Sequence, residues 1–134
     1  MKKFVLVIGL LFASLALANE HVKLDRAPID PNNQASLQRG AKYFVNYCLN
    51  CHSAMSMRYN RLMDIGLTEA QIKSNLMYAS EKVGDTMTVA MPKADAKLWF
   101  GATPPDLSVE ARARGADWLY SYLRGFYLNS SRPT

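Results

Sequence analysis

The stretch Cys48-Leu49-Asn50-Cys51-His52 limits this chain more than any other, because it holds the only two cysteines among 134 residues. Two thiols three positions apart, with a histidine directly after the second, suit three chemistries. They are a structural disulfide, a thiol–disulfide redox centre, or a cofactor bonded to both sulfurs. The rest of the chain discriminates among them.

The N-terminus bears on the compartment. Lys2 and Lys3 form a short positive region, Phe4 to Leu17 is an apolar run too short to cross a bilayer comfortably, and Ala16-Leu17-Ala18 supplies the small-x-small pattern of a cleavage site. An uncleaved anchor is the competing reading, but polar Asn19-Glu20-His21 follows at once. Residues 1–18 are therefore expected to be a signal peptide, and the protein to be exported. Their removal leaves 116 residues, enough for one domain, and lowers the net charge from +5 to +3 because Lys2 and Lys3 leave without any acid. This scattered excess, with aromatics not interleaved among basic clusters, argues against nucleic acid as a partner. In an oxidising compartment a stabilising disulfide usually closes a long loop. A bridge from Cys48 to Cys51 closes almost nothing, so a special chemical use is the better reading.

Along the chain, residues 19–35 carry two prolines and paired asparagines and read as an extended lead-in. Ser36 is a candidate helix N-cap, with Leu37, Ala41, Phe44, Val45 and Cys48 following at helical spacing and Gly40 inside the helix. Thr68 and Gln71 form a capping-box pattern, and Leu67 with Ile72 can staple it. The helix that follows places Ile72, Leu76 and Ala79 on one face. Pro92 opens a short helix through Trp99 that Gly101 stops. Ser108 is a candidate cap for another helix, broken by Gly115, and a last helix carries Trp118, Leu119, Tyr122, Leu123 and Phe126 as a wide apolar stripe. No alternating strand pattern and no repeat is evident. The expected fold class is all-α, with long irregular connections.

C-x-x-C-H is the attachment pattern of c-type haem. Cysteines three apart at a helix end can each reach one vinyl group of the porphyrin, and the adjacent histidine falls beneath the iron as an axial ligand. A thioredoxin-like centre would not need His52 and would sit beside a β-α-β pattern. A zinc site would want a second ligand pair, and the remaining histidine is His21, in the lead-in. Cys48, Cys51 and His52 are thus the expected site of one covalent haem c. His21 and the Asn129-Ser130-Ser131 glycosylation pattern read as ordinary surface. A second axial ligand, commonly methionine, must be sought downstream. Met55 and Met57 lie too close to His52 and Met77 belongs to the capped helix. Met63 and Met87 stay open, and Met91, before Pro92 and the final helices, has the placement of the ligand in a small cytochrome, against the reading that methionines simply fill core gaps.

At this point the residues resemble a known family. "CLNCHSAMSMRYNRL", "PPDLS" and "ARARGADWLYSYLRGFY" are similar to the cytochrome c1 family, the haem subunits of ubiquinol–cytochrome c oxidoreductases (bc1 complexes), from about Ser36 to Thr134. The "PPDLS…RAR…DW" block is more specific than the haem motif, and the short export signal points to a bacterial version. The resemblance implies a class I cytochrome c-like helical domain over 36–134, wrapped around the haem. In it the helix before the motif crosses the last helix, so that Gly40 and Phe44 meet the Trp118–Phe126 stripe. It implies that Pro104 and Pro105 line the haem and that Arg114 pairs with a propionate, although Arg114 also reads as a solvated helix charge. In this family the methionine ligand lies further along than Thr134, before a hydrophobic membrane anchor. The domain is accordingly expected to be incomplete here, with Met91 as the alternative sixth ligand in a complete small cytochrome.

The resemblance further implies an electron-transfer subunit with no substrate chemistry of its own, at the periplasmic face of the bacterial inner membrane. It would sit with cytochrome b and a Rieske iron–sulfur protein as the electron donor, and with a soluble cytochrome c as acceptor. A free periplasmic monohaem carrier and a thiol–disulfide oxidoreductase are the competing functions.

Overall fold

The computed structural model describes residues 23–131. The expected signal peptide at 1–18, its cleavage point and His21 lie outside them. Helix α1 (Gln34–Tyr43) runs directly into a π-helical turn (Phe44–Cys48). Strand β1 (Ala54–Arg58), a 3-10 helix (Tyr59–Ile65) and α2 (Glu69–Asn75) follow, then β2 (Thr86–Met87), α3 (Lys93–Phe100), α4 (Glu110–Arg114) and α5 (Ala116–Arg124). The all-α expectation is thus corrected to a mostly helical chain with one short ribbon. β1 and β2 are antiparallel, with Ala54 opposite Met87 and Arg58 opposite Thr86. Residues 55–57 bulge out between those pairs, so no alternation could mark the strand.

Asn33 caps α1, its side chain accepting the Ser36 N–H at 3.0 Å. Ser36, expected as the cap, is instead the third helical residue and supplies the donor. The capping box forms as the sequence predicts. Thr68 Oγ1 accepts the Gln71 N–H at 3.2 Å, and Gln71 Oε1 accepts the Thr68 N–H at 2.8 Å. It aims Ile72, which has no exposed surface, into a core of Val45, Leu49, Ala54, Tyr59, Leu62, Leu76 and Met87. Leu67, half-buried, packs on the same cluster. The helix ends at Asn75, so Ala79, expected on its inner face, lies beyond it and is exposed. Val45 and Leu49 bracket Cys48 in sequence, so the core braces the turn that carries the motif.

Pro92 and Gly101 bound α3 as expected, Gly101 taking the left-handed conformation at φ 76°. Ser108 does not cap α4, because its hydroxyl oxygen is taken by the Ser56 N–H at 2.9 Å. Gly115, at φ 85°, separates α4 from α5, a conformation that strains any residue with a Cβ. The aromatic row of α5 stacks on itself: Trp118 and Tyr122 lie parallel at 4.9 Å, and Tyr122 meets Phe126 edge-on at 5.1 Å. Tyr122, Leu123 and Phe126 are exposed, and a Cβ added at Gly40 would meet nothing within 4 Å. The expected burial of that stripe against Gly40 and Phe44 is therefore not what these helices do here. The inner side of α1 is occupied by the 3-10 helix, while α5 packs beside α4. The lead-in also lies on α5. The Asp25 N–H donates to Ser121 Oγ at 2.8 Å, and the Ala27 N–H donates to Asp117 Oδ1 at 2.8 Å.

Candidate functional site

The motif begins where α1 loosens into its π-helical turn, in which the Leu49 N–H donates to Phe44 O, five residues back, at 2.9 Å. Such widened turns are frequent at functional positions. The chain then curls tightly. The Cys51 and His52 N–H groups both donate to Cys48 O, at 3.1 and 2.8 Å. This places both cysteines and the histidine on one short turn. Cys48 and Cys51 are half-buried free thiols, and burial pushes the Cys48 thiol above its ordinary value.

His52 Nδ1 lies 2.8 Å from Pro105 O. A carbonyl can only accept, so Nδ1 carries the proton and Nε2 keeps its lone pair for a metal. The sequence singled out Pro105 as a haem-lining ring; its contact here is made by the backbone carbonyl. The loop that carries it is sewn to the segment after His52. The Leu107 N–H donates to Ser53 O at 2.8 Å, and the Met55 N–H to Asp106 Oδ2 at 2.8 Å. On the other side the Val89 N–H donates to Ser53 Oγ at 3.0 Å. Hydrogen bonds from Ser108 and from the Met55 and Ser108 amides hold the Asp106 carboxyl below its usual range, against a partial desolvation. Ser53 carried no signal in the sequence, Asp106 none beyond the "PPDLS" block, and Ser108 read as a helix cap, because the backbone groups they bind across the seam lie 36 to 52 residues away.

Cys51 opens on a cleft of about 170 Å³ that Met91 and Pro104 also line. Met91 thus shares its cleft with the loop that holds His52. Arg114 is on α4, where its Nε donates to Glu110 Oε2 at 2.7 Å, and its guanidinium stands 4.4 Å from the centre of the Trp118 ring. The expected propionate partner of Arg114 finds its place taken by Glu110 in this arrangement.

Two free sulfurs on one turn, beside an imidazole fixed through Nδ1 and free at Nε2, are the donors that haem c needs. No group of three or more His, Cys, Asp or Glu among the described residues gathers to hold a bare metal ion. Site and mostly helical frame together define a c-type cytochrome. The comparisons with known proteins narrow this. The Cytochrome C1 family matches residues 25–134. The chain is 50% identical to cytochrome c1 of Allochromatium vinosum, over 99% of this chain and 56% of the relative. It is 55% identical to a protein of Nitrosomonas europaea named ammonia monooxygenase gamma subunit, over 98% of this chain and 56% of that one. Cytochrome c1 of Rhodospirillum rubrum is 34% identical over 73% of the chain and 43% of its own length. The chain belongs to the cytochrome c1 family, whose members carry covalent haem c. It spans little more than half the length of the two most similar of these relatives.

Proposed function

We propose that this chain is the haem-bearing part of an electron-transfer subunit in a bc1-type complex. It takes one electron at a time from a Rieske iron–sulfur protein and passes it to a soluble cytochrome c. The observation that carries this reading is the 2.8 Å hydrogen bond from His52 Nδ1 to Pro105 O, beside two free thiols on the same turn. The haem supplies a one-electron iron couple. The chain's own residues attach it through Cys48 and Cys51, present His52 Nε2 to the iron, and raise the basicity of that ring through the Pro105 carbonyl. Pro104 shields one edge from water, and Arg114 exchanges Glu110 for a haem propionate. No bond in a substrate is made or broken.

The proposed setting is the periplasmic face of a bacterial inner membrane, reached through the signal peptide at 1–18, with cytochrome b as a neighbour. Among the described residues no helix is long and apolar enough to cross a membrane. Affinity purification from solubilised membranes tests the assembly. Co-purification of cytochrome b and a Rieske protein, with ubiquinol reducing the haem, is the expected result. Recovery of the chain alone in the soluble periplasm would replace this reading with a free monohaem carrier. Recovery with monooxygenase subunits would favour the assembly that the Nitrosomonas europaea relative is named for.

The sixth iron ligand is proposed to come from sequence following Thr134 in the whole protein. The position of Met91, in a cleft shared with Pro104 of the proximal loop, supports this over the alternative that Met91 binds the iron. In the intact protein Met91→Ala should leave the low-spin spectrum unchanged. Loss of the methionine–iron charge-transfer band in that variant would make Met91 the ligand.

A further inference from the structure

The bond between His52 and Pro105 is only as reliable as the loop that presents the carbonyl. Pro104 and Pro105 have no N–H, so neither can anchor that loop by its own backbone donor. The first anchored residue after them is Asp106, whose side chain does the anchoring. Its Oδ2 accepts the Met55 N–H at 2.8 Å, and its Oδ1 accepts the Ser108 N–H at 2.9 Å. Oδ2 ties the loop to the segment three residues past His52, while Oδ1 folds the loop back on itself. The next rungs, Leu107 N–H to Ser53 O at 2.8 Å and Ser56 N–H to Ser108 Oγ at 2.9 Å, continue the same seam.

We propose that Asp106 is a positioning residue for the iron ligand: its carboxylate clamps the proximal loop onto the segment after His52, fixing Pro105 O against His52 Nδ1 and so tuning the imidazole. The peptide plane that carries Pro105 O ends at the Asp106 nitrogen, so anchoring the Asp106 side chain sets the orientation of that carbonyl directly. A histidine that donates from Nδ1 to a well-placed carbonyl is a more basic ligand, and a more basic ligand favours the oxidised iron. Loosening the clamp should therefore raise the midpoint potential. This inference rests on His52 being the axial ligand, which His52→Ala tests separately by loss of the haem spectrum.

The test compares Asp106→Ala and Asp106→Asn in the haem-loaded protein, reading the midpoint potential and the His52 Nδ1–H proton resonance. Asp106→Ala should shift the ratio of oxidised to reduced protein about threefold toward reduced at fixed ambient potential. That corresponds to about 28 mV at about 59 mV per tenfold for one electron. The Nδ1–H resonance should move upfield as the bond weakens. Asp106→Asn keeps an acceptor oxygen but loses the charge, so it should recover more than half of both shifts. Equal shifts in potential for both variants with Nδ1–H unmoved would mean a charge effect alone and would overturn the proposal, as would no shift in either. Should Asp106→Ala fail to fold, Ser108→Ala, which removes one rung and no charge, should shift both readouts in the same direction by less. No movement there would equally overturn it.

Discussion

His52 and Pro105 are joined side chain to backbone across fifty-three positions, with Nδ1 2.8 Å from the carbonyl oxygen. That one bond selects the tautomer, turns the ring and leaves Nε2 free for a metal, which on the proposed reading is the haem iron. Replacing His52 by alanine should therefore abolish stable holoprotein although both cysteines remain. The check is the absorption spectrum of the purified variant. Normal maturation with unchanged bands would require another ligand.

Arg114 sits half-exposed beside Glu110, so under the proposed propionate pairing its influence on the iron would be partly screened by water. Removing a cation near the iron favours the oxidised state. Arg114→Gln should lower the midpoint potential modestly, the opposite sign from Asp106→Ala. An unchanged potentiometric midpoint in a folded variant would return Arg114 to the surface, as the partner of Glu110 alone.

Some of this architecture was legible in the sequence for a physical reason. The Thr68–Gln71 capping box, the Pro92 and Gly101 bounds of α3 and the cysteine–histidine turn are local patterns whose partners lie within a few residues. What was hidden is non-local. β2 has two residues and β1 a three-residue bulge, so the ribbon leaves no period to detect. Ser108 has the composition of a helix cap, but Ser56 claims its hydroxyl. Pro105 was singled out for its ring, whereas its carbonyl makes the contact, and every residue has a carbonyl. The stripe from Trp118 to Phe126 has the period of a buried helix face, yet much of it lies exposed and self-stacked on a helix that the extended lead-in crosses.

Ile72 is the fully buried side chain that the capping box aims into the core beneath the motif. Ile72→Ala should cost about 2–5 kcal/mol, from lost transfer energy and the cavity left behind. Equilibrium denaturation with guanidinium measures it. A loss below about 1 kcal/mol would mean that the core collapses around the site or contributes little.

Stability should also fall at both ends of the pH scale. The Ser80 hydroxyl, donating at 2.6 Å, leads the interactions that hold the Asp85 carboxyl below its usual value, with the Lys82 backbone and the charges of Lys82 and Arg58 adding to it. A carboxyl depressed in the fold stabilises it above its unfolded value of about 4, and this is lost as pH falls through the folded value. Burial, and then the charge of Asp85, raise the Tyr59 phenol. Its contribution is complete below its unfolded value of about 10 and fades as pH rises through the folded one. Denaturation midpoints across pH should show a plateau with two falling limbs, and Asp85→Asn should flatten the acidic one. An acidic limb unaltered by Asp85→Asn would assign it to other carboxylates.

The central claim is that one haem is bonded to both Cys48 and Cys51 on the turn that ends in His52. The most direct measurement is the mass of the protease fragment spanning Cys48 to His52, taken from protein matured in the periplasm. The account predicts a fragment heavier by one whole haem that survives denaturation. In Cys51→Ser, a single remaining thioether and a lower yield of mature protein should follow. A wild-type fragment at the mass of two free thiols, or of a Cys48–Cys51 disulfide, would contradict it.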